Sequence, residues 1–182
     1  MNKLLATCAF LVASPALATG LEVDVAGEAK GTIVIDLFED VAPKHVEQIT
    51  ALASEGAYDG VVFHRVIEGF MAQTGDVQFG KADGDTSGAG RGGSDRPDLP
   101  AEFSDLNFDR GVVGMARSQN PNSANSQFFI MFEEGAFLNG QYTVVGKVTA
   151  GMDVVDQIKL GTGGNGTVVG TADQMKAVRV TK

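Results

Sequence analysis

Phe63-His64-Arg65-Val66-Ile67-Glu68-Gly69-Phe70-Met71-Ala72-Gln73-Thr74-Gly75-Asp76 is the stretch whose reading decides the fold. Val61, Phe63 and, past the polar pair, Val66 predict one strand. Glu68-Gly69 supplies a turn, and Phe70 to Gln73 opens a second strand that stops before Gly75. A guanidinium (Arg65), two large soft side chains (Phe70, Met71) and an amide (Gln73) thus fall within nine positions, on elements stiff enough to aim them. Alternation along an extended segment puts His64 on the face opposite Arg65, where a hydrogen-bonded structural role is expected of it.

Outward from this stretch the chain reads as mainly β. Leu21, Val23 and Val25 alternate with polar residues ahead of Gly27, and Ile33, Ile35 and Leu37 share one face of the next segment. Strand signals return at 111–115, 127–131, 144–148 and 175–180. Pro43 suits the first turn of a helix, and Val46, Ile49, Leu52 and Ala53 form one stripe that Gly56 ends. His45 rides on that helix as a solvated side chain. Met152, Val155 and Ile158 mark a second helix. Eight short strands and two helices predict a closed eight-stranded antiparallel β-barrel whose ends the helices cap. The 24 glycines, about twice the average share, fit so many turns. The stretch Gly80 to Pro100 is long for a loop in a compact domain, which marks it as functional or mobile.

The 182 residues, 43% of them hydrophobic, suit one domain with a full core. No apolar run reaches the length of a membrane span. Lys3, the apolar run Leu4 to Val12 and the small-x-small Ala16-Leu17-Ala18 together predict a cleavable leader. That divides the chain into a signal peptide, 1–18, and a domain, 19–182, starting at Thr19 and expected in the periplasm. Cleavage removes Lys3 and Cys8, the only cysteine, and leaves thirteen basic residues against 23 acidic ones. The exported domain has no thiol nucleophile and needs no oxidative folding. Its negative charge works against nucleic acid as a partner.

Several motifs lead nowhere. Gly88 to Gly93 and Gly161 to Gly166 both satisfy G-x-G-x-x-G, yet neither follows a strand and opens a helix, so neither predicts dinucleotide binding. Asp83-Gly84-Asp85-Thr86-Ser87-Gly88 begins like a calcium loop, but Ser94 stands where the bidentate glutamate belongs. With only two histidines, neither a metal site nor a Ser-His-Asp triad is expected.

The central stretch resembles the signature of the cyclophilin-type peptidyl-prolyl cis-trans isomerases: Phe-His-Arg, then Gly-Phe-Met-x-Gln-x-Gly-Asp. Met115-Ala116-Arg117 followed by Ser126-Gln127-Phe128-Phe129-Ile130 resembles the family's second signature, and Phe137-Leu138-Asn139-Gly140-Gln141-Tyr142 its third, in the family's order. The resemblance covers nearly all of Gly20 to Thr181. It implies the same barrel and isomerase activity on X-Pro bonds, without a cofactor. It also implies a monomer acting on proline-containing peptides and on unfolded or folding chains. Residue by residue it implies that Arg65, with Phe70 and Gln73, is the catalytic set. Phe70, Met71, Phe129 and Leu138 then form the pocket for the proline ring. Gln73, Gln127 and the backbone at Ala116 and Arg117 hold the peptide, and Phe137 and Tyr142 complete the substrate surface.

There are departures from the family pattern. Phe137 stands near where the family often has Trp, Tyr142 near a frequent His, and Arg117 where Asn is frequent; the loop from Ser118 to Asn125 is a residue longer than the common form. Weak binding of cyclosporin-type macrocycles is expected from the missing Trp. The alternative reading is a proline-peptide binding module or chaperone on the same fold, with little turnover.

The chemistry explains why such a short list suffices. Rotation about an amide has a barrier of about 18–20 kcal/mol because resonance gives the C–N bond double-bond character, while the two X-Pro isomers are close in energy. A catalyst needs no nucleophile or metal. It needs a group that interacts more strongly with the twisted amide than with either planar one. A guanidinium near the prolyl nitrogen, whose lone pair localises on twisting, is such a group, and it stays charged and presents fixed donors. Removing about 7 kcal/mol of the barrier would accelerate exchange roughly 10⁵-fold.

Overall fold

Among the described residues, nine strands form one antiparallel sheet, and two of them explain its shape. In the computed structural model, which describes residues 19–182, the elements run β1 (Gly20–Ala26), β2 (Gly31–Leu37), α1 (Pro43–Ser54), β3 (Val61–Val62), β4 (Arg65–Ile67) and β5 (Met71–Thr74). They continue with β6 (Val112–Met115), β7 (Phe128–Met131), β8 (Val144–Ala150), α2 (Met152–Val155) and β9 (Gln174–Thr181). The strand order is β3-β9-β1-β2-β8-β6-β7-β5-β4. The outermost strands, β3 and β4, are therefore separated in sequence by Phe63 and His64 alone. From Val62 to Arg65 the chain reaches about 11 Å at most, whereas nine strands laid flat would hold their edges about 38 Å apart. The sheet has to curl.

The fold is thus mainly β with two helices, as expected, but with nine strands where the sequence predicts eight. The strand expected to run from Val61 through Val66 breaks at Phe63–His64. Its first half pairs with β9, and its second pairs with β5. Backbone bonds from Phe63 N to Asp173 O and from Val168 N to His64 O carry the break across. The leader expected over 1–18 lies outside the described residues. Among the described residues, no helix is long and apolar enough to cross a membrane.

Alternation sorts the side chains onto two faces. Leu21, Val23, Ile33, Ile35, Val66, Ala72, Val113 and Ile130 meet Val46, Ile49 and Leu52 of α1 in the main core inside the curl. A second apolar cluster, with Met71, Phe108, Phe129, Met131 and Leu138, covers the opposite face of β4, β5, β6 and β7. That second face carries the site.

One expectation about α1 fails. His45 has no exposed surface. Its Nδ1 lies 2.6 Å from Oε2 of Glu102, which also accepts from the His45 N–H at 3.1 Å, while Oε1 accepts from the Lys44 N–H at 3.3 Å. Ala42 offers α1 no side-chain cap, so a carboxylate from a distant loop satisfies two amides of the first turn that have no partner within the helix. Burial works to raise the Glu102 pKa, but the His45 ring and the two backbone N–H groups outweigh it and hold the group below the ordinary glutamate value.

Candidate functional site

Register builds the site. Arg65 pairs with Gln73, Gln73 with Phe129, and Phe129 with Gly114, so one row of residues crosses β4, β5, β7 and β6. Strands stand about 4.8 Å apart, and members of a row share a face. The adjacent row on that face is Ile67, Met71 and Met131. Gly114 ends the first row because a side chain there has no room: a Cβ would come within 2.5 Å of both Phe108 and Phe129. The space is filled by the Phe129 ring, stacked on Phe108 with centroids 5.7 Å apart.

Ten of the eleven candidate residues line one cavity of about 410 Å³: Arg65, Phe70, Met71, Gln73, Ala116, Arg117, Phe129, Phe137, Leu138 and Tyr142. Met71, Phe129 and Leu138 are buried and form its floor, whereas Phe137 is 65% exposed at the rim, 5.4 Å from the Phe70 ring. Tyr142 meets Phe129 edge-on and carries the Arg117 guanidinium over its other surface, 4.2 Å from the ring centroid. The eleventh candidate, Gln127, lines an adjoining cavity of about 580 Å³ that shares Gln73, Ala116 and Arg117 with the first.

Arg65 is held by neutral groups only. Its Nε donates to Asn165 O at 2.9 Å, Nη2 to Asn165 Oδ1 at 3.1 Å and Nη1 to Gln73 Oε1 at 3.1 Å, with Met71 Sδ a distant 3.9 Å from Nη1. Oxygen acceptors thus engage three of its five N–H groups, leaving one on each terminal nitrogen. Burial lowers its pKa, but the ordinary arginine value is so high that the guanidinium keeps its charge.

A chain of amides fixes the other end. Gln73 Nε2 donates to Gln127 Oε1 at 2.9 Å, and Gln127 Nε2 to Gly92 O at 2.7 Å. Each link has one orientation only: Arg65 is all donor and a carbonyl all acceptor, so both amides must point the same way. Gly92 is in turn tied down by buried Asp76, whose Oδ2 accepts from the Gly90 and Gly92 N–H groups while Oδ1 accepts from Gln78 and Phe79. The backbone at Ala116 is less open than expected. Its N–H donates to Gln127 O at 2.9 Å, so only its carbonyl remains for a peptide.

Three contributors escape a reading of the sequence. Asn165 grips Arg65 from within the Gly161–Gly166 run, adopting φ 57°, a left-handed conformation that Asn tolerates better than most; its cue in the sequence is an Asn inside a glycine-rich run. Asp76 ends the central stretch, and nothing local in the sequence signals that it holds the Gly90 and Gly92 N–H groups. Arg91, in the long loop, lines the larger cavity. That loop is ordered by Asp76 and by Asn125, which accepts from Ser94 and donates to Arg96 O. Asp85 uses both carboxylate oxygens on Ser87, as a local turn. Among the described residues, no group of three or more His, Cys, Asp or Glu side chains is placed to share a metal ion.

His64 corrects an expectation. It is buried, yet neither ring nitrogen has a hydrogen-bond partner among the described residues. It packs beneath Gly90, where a Cβ would lie 3.0 Å from its Cδ2. Burial lowers its pKa, and the nearby Asp76 charge only partly opposes this.

Known proteins with these features agree with one another. Residues 21–182 match the family model described as cyclophilin type peptidyl-prolyl cis-trans isomerase/CLD. The chain is 63% identical over 147 residues to a probable peptidyl-prolyl cis-trans isomerase of Brucella suis biovar 1, covering 80% of this chain and 75% of that protein. It is 40% identical over 134 residues to peptidyl-prolyl cis-trans isomerase-like 3 of Rattus norvegicus, covering 71% of this chain and 76% of that protein. The crystal structure of a cyclophilin type isomerase from Cryptosporidium parvum superposes with a TM-score of 0.77 at 25% identity, covering 91% of this chain and 99% of that one. The same enzyme in the presence of the dipeptide Ala-Pro superposes with a TM-score of 0.74 at 26% identity, covering 90% and 99%.

Proposed function

We propose, for a chain that belongs to the cyclophilin-type peptidyl-prolyl cis-trans isomerases and catalyses rotation about X-Pro bonds, that Arg65 is the group that lowers the rotational barrier. The observation that carries this is the state of its guanidinium. It faces the apolar pocket with its charge unneutralised by any carboxylate among the described residues and with one N–H left on each terminal nitrogen. As the amide twists, resonance is lost and the lone pair returns to the prolyl nitrogen. A free N–H aimed there strengthens its bond during the twist and weakens it again afterwards. The ring rests on Phe129, Met71 and Leu138 beneath Phe70, while Gln73 and the Ala116 carbonyl hold the flanking peptide as the other half turns. An Ala-Pro dipeptide accompanies the Cryptosporidium relative, which supports proline-containing peptides as ligands of the same cavity here.

Magnetisation-exchange NMR on an X-Pro peptide tests the assignment, with Arg65→Lys as the discriminating variant. Lysine keeps a charge but loses the planar fork, so most of the exchange enhancement should vanish while peptide binding persists. An undiminished rate would remove Arg65 from the role. Binding without exchange in the parent would favour the binding-module reading.

Three further readings complete the proposal. Counting β3 and β4 as one interrupted strand, whose halves are joined by two residues, supports treating the curled sheet as a closed eight-stranded barrel. The leader pattern in 1–18 supports export to the periplasm, which N-terminal mass analysis of fractionated protein tests through a start at Thr19. Arg65, Gln73 and the apolar floor meet in one cavity without a second copy, which is compatible with action as a monomer; light scattering on the purified protein tests this.

A further inference from the structure

We infer that the peptide cleft prefers proline segments flanked by acidic side chains, and that Arg91 is a residue that sets this preference. The inference rests on the isomerase reading of the same cleft and narrows its substrate class.

The chain has six arginines against 23 acidic residues, and three of the six find a carboxylate. Arg96 pairs with Glu55, Arg110 with Asp156, and Arg179 with Asp24 and Glu22. Among the described residues, the other three, Arg65, Arg91 and Arg117, pair with none, and all three line the two joined cavities. An arginine without a partner on a solvated surface is ordinary. Three that converge on one cleft of an acidic protein create a local positive field, within a Debye length of roughly 8–10 Å, where the rest of the surface is negative.

The two new members differ in how they are held. Arg117 is fixed: Nη1 donates to Ser118 O and Nη2 to Gln141 O, both at 2.9 Å, with the guanidinium stacked on Tyr142. Arg91 is exposed, and its contacts are long, 3.4 Å from Nε to Gly88 O and 3.3 Å from Nη2 to Ser87 O. It stands across the larger cavity with donors to offer. Two carboxylates lie nearby. Asp98 lines the cavity and accepts from Asn125 Nδ2 at 3.1 Å; Asp76 lies beneath Gly92 with four backbone N–H groups on its oxygens. The exposed lining therefore remains net positive. A peptide whose proline sits over Phe129 passes across Ala116 at about 3.3–3.6 Å per residue, which brings a neighbouring side chain into the larger cavity. A carboxylate there gains both guanidinium groups, and an ammonium meets them as like charges.

The test uses one X-Pro peptide with Ala, Glu or Lys placed in turn at each of the three positions on either side of the bond. Exchange rates and NMR-titration Kd values are measured on the protein and on Arg91→Ala and Arg91→Glu. Acceleration of the Ala peptide reads the isomerase. The Glu-to-Lys ratio reads the preference, in Kd even where turnover is absent. The ratio should reach roughly threefold to tenfold at one position or more, the scale of exposed charge pairs, and shrink toward one in 1 M salt, where the Debye length is about 3 Å. Arg91→Ala should lower it and Arg91→Glu invert it, each judged against that variant's own Ala peptide. Equal values for Glu and Lys peptides at every position, or a ratio unmoved in both variants, would overturn the inference.

Discussion

The cavity around Phe129 and the cavity around Gly92 share Gln73, Ala116 and Arg117, yet one is walled by core side chains and the other by loop peptides, amides and guanidinium groups. The floor of the first, Met71, Phe129 and Leu138, belongs to the second apolar cluster, so pocket and fold are one piece of packing. The polar cavity has no such backing. Its walls hold one another by directional bonds that run from Asp76 through Gly92, Gln127 and Gln73 to Arg65. The difference teaches that damage should express itself in different quantities on the two sides: stability where the wall is core, and rate or selectivity where the wall is a network.

The sharpest attempt to break this contrast is Phe129→Ala. Deleting a buried ring stacked on Phe108 should destabilise the fold by about 3–5 kcal/mol, read by urea unfolding, and lower activity as well. A stable variant with only reduced turnover would show that the pocket is not part of the core. Arg65→Ala should do the reverse, losing about 10²- to 10³-fold in kcat/KM, the scale of removing a single transition-state donor, with Tm nearly unmoved.

The exposed rim allows a gain instead of a loss. Phe137→Trp adds an indole N–H beside Phe70, where a macrocycle carbonyl that now loses water without a partner forfeits roughly 1–3 kcal/mol. Inhibition by a cyclosporin-type macrocycle should tighten about ten- to a hundredfold, with turnover of a short peptide similar. Tight inhibition of the parent would show that the rim donor is not needed.

Within the network, Gln73→Glu keeps size but reverses polarity. The carboxylate pairs with Arg65, neutralising the charge that the reaction uses, and has no N–H to donate to Gln127. A fall in kcat of about tenfold, near 1.4 kcal/mol, with an unfolding midpoint close to that of the parent, is the expected result; a matching fall in stability would make Gln73 a structural residue.

The smallest expected effect belongs to His64, which packs beneath Gly90 in the wall of the polar cavity. Its folded pKa lies below the unfolded value of about 6.5, so between the two the unfolded chain binds the proton first. Its contribution is therefore fully present above about pH 6.5 and is lost as pH falls through the folded pKa. Thermal unfolding followed from pH 7.5 to 5 should show Tm falling in the parent and flattening in His64→Gln. An identical slope in both would locate the acid sensitivity elsewhere than His64; the lowered pKa of Glu102 makes its own contribution fall away only below the ordinary glutamate range, outside that window.

Much was legible from the chain alone because it is local. Period-two alternation puts His64 on the face opposite Arg65, Pro43 and the Val46–Ile49–Leu52 stripe locate α1, and the composition and length of 80–100 mark an irregular segment that forms a cavity wall. Each of these depends on neighbours a few residues away, within reach of a strand or helix repeat.

What the tertiary structure alone decided lies at long range. The strand expected through Val61 and Val66 splits because its halves serve opposite edges of a curled sheet. His45 is buried because Glu102, 57 residues on, caps its helix. Arg65 is aimed by Asn165, 100 residues away, and Gln73 reaches Gln127, 54 residues on, only where two strands pair. No periodicity encodes such meetings. They follow from loop closure and strand register, which place groups within about 3 Å of each other only after the whole sheet has curled.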